Sequence, residues 1–461
     1  METTPQELVE RGLDKSTADG CVILVDRSST ANLRWANNTL TTNGLARAST
    51  VTVVSTVDGA NGTAAATLSR SASTIDDVLG LVARADEAAR RADPAEDAAP
   101  LAADPVDADW DEPPEHCSID VLEPLARDLG DVFTRAAESR QLLYGYADHA
   151  VSTTYVGSST GLRRRHVQPD GHIGITGKDA DLTRSAWVGQ ATRDFSDVDA
   201  LRLGDDLDRR LGWARRTVDL DAGRYDTILP PTAVADLMIY AYWMAGGREA
   251  ADGQTVFSRP GGGTRIGERL SDRPVRMFSD PAAPGLECSP FVTEYASASS
   301  SSVFDNGLPL QRTDWIADGE LRALRQSRHS AALNRQAVTP GIDNLLVSVD
   351  GATESPEELV TDVERGLLLT CLWYIREVDP QTLLLTGLTR DGVYLVENGE
   401  ITGAVNNFRF NESPIDLLGR FSQASVSVPS FSREWGDEFP RTSTPALRVP
   451  DFNMSSVSAA R

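Results

Sequence analysis

The side chains in this sequence best suited to hold a transition metal or to act as a nucleophile are its histidines and cysteines. They are His116, His149, His166, His172, His329, Cys21, Cys117, Cys288 and Cys371. No two histidines have the H-E-x-x-H spacing that puts two ligands on one helical face, and no two cysteines have C-x-x-C spacing. His166 and His172 could meet across a hairpin, although a surface pair is the simpler interpretation. The spacing therefore indicates no standard metal site.

Residues 157–161 match G-x-S-x-G, the pattern of a nucleophile elbow, which needs a strand before the serine and a helix after it. The preceding residues favour a strand, but residues 162–175 look like a second strand, so we predict a β-hairpin. The glycine-rich residues 261–267 lack a strong preceding strand and the G-K-[ST] sequence of a phosphate-binding loop. They predict a plain loop.

The balance of charge limits the partners of this protein. Its 461 residues carry a formal net charge of −24, which repels phosphate backbones but suits basic or neutral peptides. The only dense basic run, residues 163–166, offers too little basic surface for nucleic acid and predicts a solvated strand face. We therefore expect no nucleic-acid partner.

The N-terminal residues and the overall hydropathy bear on localisation. Residues 1–20 are polar and acidic and do not resemble a signal peptide, and the sequence has no run of about 18 apolar residues that would span a membrane. The unpaired spacing of the cysteines is typical of reduced thiols. We therefore predict a cytoplasmic protein without membrane contacts.

The first 220 residues alternate between helical and strand patterns, which predicts an α+β N-terminal domain. A Thr-Pro-Gln-Glu sequence at residues 4–7 is a helix start. Turn signals lie at residues 43–44 and 58–59, and residues 93–115, rich in Pro, Ala and acid, predict a linker. The predicted helices are residues 4–14, 73–91, 121–139 and 198–216; the predicted strands are residues 21–27, 32–37 and 49–58, followed by a strand-rich stretch at 142–188.

Residues 221–461 predict a β-rich C-terminal domain. It contains one aromatic helix, residues 232–246, whose apolar side chains occur nearly all round and which should therefore be buried. Short strands and turns dominate from residue 274, with hairpin signals at residues 305–307, 390–392 and 397–399. The whole chain is thus expected to have an α+β fold of two domains.

Several stretches resemble the TldD/PmbA family of metallopeptidases. The sequence VNNFRFNES at residues 405–413 is similar to a strand of that family, and the series formed by residues 374–380, 386–387 and 397–401 occurs in the same order. Residues 18–38 and 155–162 resemble its N-terminal strands and hairpin. The resemblance runs from about residue 18 to residue 455, and the joint order of the motifs is more specific than any one of them.

The resemblance also implies where a metal site would lie. Catalytic TldD-type members carry H-E-x-x-x-H on a helix that matches residues 232–246, and a late cysteine completes their zinc site. The corresponding positions here are Met238, Ile239 and Trp243 on the helix and Trp435 for the cysteine, with Tyr240 between them. None of these is a zinc ligand. We therefore predict no catalytic, cofactor-binding or metal-binding residue in this chain.

This pattern resembles the family's metal-free, TldE-type subunit. It implies a heterodimer with a TldD-type H-E-x-x-x-H subunit, which would hold the zinc, and substrates that are unfolded or short peptides. Two alternatives stay open. One is a self-sufficient metallopeptidase with ligands from elsewhere, such as His166, His172 or Cys288, and the other is a regulatory peptide- or protein-binding protein without proteolytic activity.

Overall fold

A computed structural model describes residues 3–459. Its first sheet is antiparallel throughout, in the order β3-β2-β1-β4-β5-β6. The strands are long, so successive side chains alternate between two wide faces. Their bounds are β1 Gly20–Ala36, β2 Thr39–Gly59, β3 Gly62–Ser71, β4 Gln141–Ser158, β5 Arg163–Asp179 and β6 Ser185–Thr192.

Four helices cover one face of this sheet. They are α1 Pro5–Lys15, α2 Ile75–Arg91, α3 Glu123–Glu138 and α4 Ala200–Trp213. Helix α1 begins with the predicted capping box, because the Glu7 N–H donates to Thr4 and the Thr4 N–H donates to Glu7. Alternate β1 residues such as Ile23 and Leu33 pack under the helices in two separate hydrophobic clusters.

The other face of the first sheet is polar over most of its length. We call this the polar face; it consists of Asp26, Ser28, Asn32, Asp148, Ser152, Thr154, His166, Gln168, Asp170 and His172. Strand register sets these residues in rows: Asp26 is opposite Thr154, which is opposite His166. Most are only partly exposed, because the C-terminal half of the chain packs over them.

The C-terminal half contains two further sheets, one of six strands and one of ten. The six-stranded sheet has the order β11-β10-β9-β12-β21-β20. The strands are β7 Thr217–Val218, β8 Gly223–Leu229, β9 Val275–Ser279, β10 Thr313–Ala317, β11 Glu320–Leu321, β12 Leu345–Val349, β13 Arg365–Leu369, β14 Leu372–Asp379, β15 Leu384–Thr389, β16 Val393–Glu397, β17 Glu400–Val405, β18 Phe408–Glu412, β19 Gln423–Ala424, β20 Val428–Ser430, β21 Thr442–Thr444 and β22 Leu447–Val457. The helices are α5 Pro231–Trp243, α6 Gly247–Ala251, α7 Arg328–Asn334 and α8 Pro414–Arg420.

Helix α5 is the predicted aromatic helix, and its burial is confirmed. It contacts β8 of the larger sheet and β20 and β21 of the smaller one, and its side chains share one core with both sheets. It ends at Trp243, three residues before the predicted end. The α+β fold class is confirmed, while the division into domains at residues 220 and 221 stays a prediction. Strand β7 already belongs to the ten-stranded sheet.

Three hairpin predictions were wrong, one of them because short polar residues also fit extended backbone. Asn43 and Gly44 lie inside β2, opposite β1, and the turn is made instead by Asn37 and Asn38, which both have positive φ. Residues 390–392 join β15 to β16, which do not pair with each other. Residues 305–307 form the end of a short 3₁₀ helix, Val303–Asp305, and the two residues after it. The hairpins at residues 58–59 and 397–399 are confirmed.

The linker at residues 93–115 contains neither helix nor strand, but it forms ion pairs with both the first sheet and the C-terminal half. Its carboxylates Asp107 and Asp109 pair with Arg164 and Arg165 of β5. Glu96 pairs with Arg248 of the C-terminal half. Within residues 3–459, no helix combines the length and the apolar character that crossing a bilayer requires.

Candidate functional site

The polar face of the first sheet packs against segments of the C-terminal half. Three polar contacts join the two sides. The Tyr295 hydroxyl donates to Asp26 Oδ1 over 3.1 Å, Gln168 Nε2 donates to the Glu287 carbonyl over 3.3 Å, and Arg441 forms a short ion pair with Asp170. These contacts fix the C-terminal half against the first sheet.

His172 also joins the polar face to the C-terminal half. Its Nδ1 lies 2.8 Å from Asp148 of β4 and its Nε2 lies 3.2 Å from Asp437, while its ring stacks on Phe431. Burial favours the neutral ring, but the two carboxylates outweigh it and raise the pKa of His172 above its usual value. The protonated form of His172 therefore stabilises the contact between β5 and residues 431–437.

A cavity of about 210 Å³ opens in the C-terminal half beside helix α5. Aromatic residues form part of its wall: Tyr242 and Trp243 from α5, with Phe291 and Phe439. Three acidic residues also line it: Glu294, which is partly buried, and Asp343 and Glu438, which are exposed. Arg325 also lines the cavity, with its guanidinium 5.4 Å from the centre of the Tyr242 ring.

The most perturbed carboxyl group in this cavity is that of Glu294. Burial raises its pKa to about 7, the nearby charge of Asp343 adds to the shift, and Arg325 opposes it. The backbone of Glu294 is fixed from both sides by Asn306, which accepts from its N–H and donates to its carbonyl. The side chain therefore projects from a rigid base.

Helix α5 also carries the positions that the resemblance assigned to a metal site. Met238 and Ile239 are completely buried in the apolar core. The ring of Trp435 lies 5.2 Å from that of Trp243 and 5.7 Å from that of Tyr240, measured between centroids. The fold thus brings Trp435 to the helix, and it meets Trp243 and Tyr240 there.

A buried charged residue that the sequence analysis missed on this helix is Asp236, one turn before Tyr240. It is fully buried, and its Oδ1 accepts from the Ser432 hydroxyl and from the Glu434 N–H. Trp435 Nε1 donates to the Asp236 carbonyl over 3.0 Å. Burial raises the pKa of Asp236 to about 7. Its signal was a single carboxylate inside an otherwise apolar helix, which is costly unless the group has partners.

The remaining sequence candidates have structural roles. The G-x-S-x-G stretch is the predicted hairpin between β4 and β5, and Gly157 lies opposite Arg163. The arginines of the basic run pair with Glu10, Asp107 and Asp109, so none of them presents a free guanidinium.

His166, His172 and Cys288 were the alternative metal ligands. His166 contacts Gln168 and the Phe291 ring, His172 binds Asp148, and Cys288 is a buried thiol whose pKa burial raises to about 12. In the described part of the chain, residues 3–459, no three His, Cys, Asp or Glu side chains converge in a metal-binding arrangement.

Comparison with protein-family models gives a match to the PmbA/TldA metallopeptidase C-terminal domain over residues 222–456, just over half of the chain. The chain belongs to the TldD/PmbA family. Its fold is similar to that of TldE from Thermococcus kodakarensis, with a TM-score of 0.77 and 17% identity over 97% of this chain and 99% of that one.

Two further solved structures have folds similar to that of this chain over nearly its full length. A candidate modulator of a DNA gyrase from Thermotoga maritima has a TM-score of 0.74 and 16% identity, over 98% of this chain and 100% of that one. A candidate modulator of DNA gyrase from Bacteroides thetaiotaomicron has a TM-score of 0.74 and 13% identity, with the same coverage. No curated protein sequence matches the chain.

The family implies a zinc ion, and the residues at the corresponding positions do not fit one. Zinc is bound by imidazole, thiolate or carboxylate. The positions hold Met238, Ile239, Trp243 and Trp435, of which two are buried in the core and two pack against each other. The nearest carboxylate on the helix, Asp236, is directed into the turn at residues 432–434.

Proposed function

We propose that this chain is the metal-free, TldE-type subunit of a TldD/TldE peptidase and that it does not hydrolyse peptides by itself. The observation that carries the proposal is the contact between Trp243 and Trp435, which fills with aromatic rings the positions where catalytic relatives bind zinc. Activation of water by zinc needs three protein ligands and an open coordination position. None of the side chains of Met238, Ile239, Trp243 and Trp435 is such a ligand.

In this proposal the partner is a TldD-type subunit that carries H-E-x-x-x-H and the zinc. This chain contributes part of the wall of a chamber that admits unfolded or short peptides. The polar face supports this role, because its partly exposed hydroxyl, amide and carboxylate groups can form hydrogen bonds with a polar peptide backbone. The expected location of the complex is the cytoplasm.

The test compares the purified chain alone with the chain co-expressed with a TldD-type subunit. We expect the chain alone to contain no stoichiometric zinc and to leave an unfolded peptide intact. We expect the complex to contain zinc and to cleave the peptide, and a Glu→Gln change in the partner's H-E-x-x-x-H motif to abolish cleavage. One tightly bound zinc per chain, together with peptide cleavage by the chain alone, would instead favour the self-sufficient metallopeptidase.

A further inference from the structure

We infer that the cavity beside helix α5 binds a cationic group of a peptide, either the guanidinium or ammonium group of a side chain or the N-terminal ammonium group. The inference rests on the proposed function, because it names the class of peptide that the chamber would favour. Its basis is the combination of an aromatic wall with carboxylates that form no hydrogen bond or ion pair within residues 3–459.

The carboxylates of the cavity differ from other carboxylates in the chain. Asp170 of the first sheet pairs with Arg441, and within the C-terminal half Asp305 pairs with Arg328 and Asp391 pairs with Arg433. Within residues 3–459, by contrast, no side chain or backbone group forms a hydrogen bond or ion pair with the carboxylates of Glu294, Asp343 and Glu438. Three unpaired acids around one cavity attract positive charge.

Arg325 offsets the negative charge of these three carboxylates only in part. Its guanidinium donates to the Trp243 carbonyl over 2.6 Å and stacks on Tyr242, and it lies beyond ion-pair distance of the three carboxylates. Its stacking shows that this aromatic wall already accepts a guanidinium from the chain itself. Trp243 is only half-buried, and indole is the aromatic group that attracts cations most strongly.

The walls are rigid before any ligand arrives, which lowers the entropic cost of binding. The Tyr242 hydroxyl accepts from the Ile342 N–H over 2.7 Å and donates to its carbonyl over 2.9 Å, which fixes the residue before Asp343. Asn306 fixes Glu294 in the same way. The Glu438 N–H donates to the Trp435 carbonyl over 3.0 Å, so the turn at the former metal position supports the third acid.

The chemistry of the walls selects an organic cation over a metal ion. A hard metal ion needs several oxygen ligands at about 2–2.6 Å, and the acids of the cavity do not converge in such an arrangement. A guanidinium or alkylammonium group spreads its charge over a larger surface and can use ring faces and carboxylates together. The cavity volume of about 210 Å³ is well above the ~10–15 Å³ that one water molecule needs.

The experiment is calorimetric titration of the full chain with three alanine-rich peptides that differ at one point. The first is acetylated and has a central arginine; the second is acetylated and has citrulline, the neutral isostere, in its place; the third has citrulline and a free N-terminus. We expect the first or the third to bind at least about tenfold more tightly than the second, a difference within reach of charge and cation–π contacts. Which of the two binds tightly identifies the source of the cation.

Two variants test the site itself. Glu294→Gln and Asp343→Asn should each reduce the discrimination between charged and neutral peptides at least about threefold while leaving the melting temperature within a few degrees. Glu357→Gln is the matched control, because Glu357 is exposed and does not line the cavity. This substitution removes one negative charge, as each of the cavity variants does. It should keep the full discrimination.

The outcomes separate the two proposals. If all three peptides bind equally, or if both cavity variants keep the full discrimination, the cation site is wrong while the peptide-binding role stands. If none of the peptides binds, both the cation site and the peptide-binding role are overturned.

Discussion

Two neighbouring regions around helix α5 use their polar groups in opposite ways. At the former metal position, Asp236 and Trp435 hold each other through the Ser432 turn, and the aromatic rings close the space. In the adjacent cavity, no hydrogen bond or ion pair within residues 3–459 reaches the carboxylates of Glu294 and Asp343. The polar groups of the first region therefore hold the framework together, whereas the carboxylates of the second are left to solvent or to a ligand.

The largest effect is expected from removing the centre of the closed region. Trp435→Ala loses the contacts with Trp243 and Tyr240 and leaves a cavity, so we expect a loss of about 3 kcal/mol in the free energy of unfolding. Urea denaturation followed by circular dichroism measures it. The control is Tyr374→Ala, at an aromatic residue that is 52% exposed, which should cost much less. Equal losses would mean that Trp435 is not a framework residue.

The next effect concerns the buried carboxyl group of Asp236. Because its pKa in the folded chain is about 7, the folded chain binds a proton here that the unfolded chain has released above about pH 4. The free energy of unfolding should therefore fall, by an amount on the order of a few kcal/mol, as the pH rises from about 4 to about 7.

Asp236→Asn should remove this pH dependence while keeping the acceptor for Ser432 and Glu434. Unfolding free energies measured at several pH values test it, and Asp219→Asn is the control at an exposed position. If the unfolding free energy of the Asp236→Asn protein depended on pH as steeply as that of the unsubstituted protein, Asp236 would not be the source of the pH dependence.

A smaller effect is expected at His172, which joins the polar face to residues 431–437 of the C-terminal half. The raised pKa of His172 means that its stabilising contribution is fully present below its unfolded value of about 6.5 and is lost as the pH rises through the folded value. NMR titration of the ring should give a pKa above 6.5. Asp148→Asn should lower that pKa more than Asp437→Asn does, because Asp437 is 81% exposed and screened by water. A larger effect of Asp437→Asn would contradict this ranking.

Local sequence patterns were enough to predict helices α1 to α5 and the fold class, whereas the short helices α6, α7 and α8 were not predicted. The Thr4 capping box, the apolar helix α5 and the hairpin at residues 157–161 rest on neighbours in sequence, and the structure contains all three. The turn at residues 43–44 failed because an Asn-Gly pair also tolerates extended backbone. The turn lies at Asn37 and Asn38 instead, so Asn43 and Gly44 pair with Leu33 and Asn32 of the preceding strand β1.

The sequence by itself determined which residues could not bind zinc, since donor chemistry belongs to the side chain alone. Only the tertiary structure decided what replaces the metal and where free charge remains. The pairing of Asp236 with Ser432 spans 196 residues, and the cavity gathers Tyr242, Glu294, Asp343 and Glu438 from four separate segments. Burial and proximity across such separations depend on how whole sheets pack, and they set both the pKa of Asp236 and the unpaired state of the cavity acids.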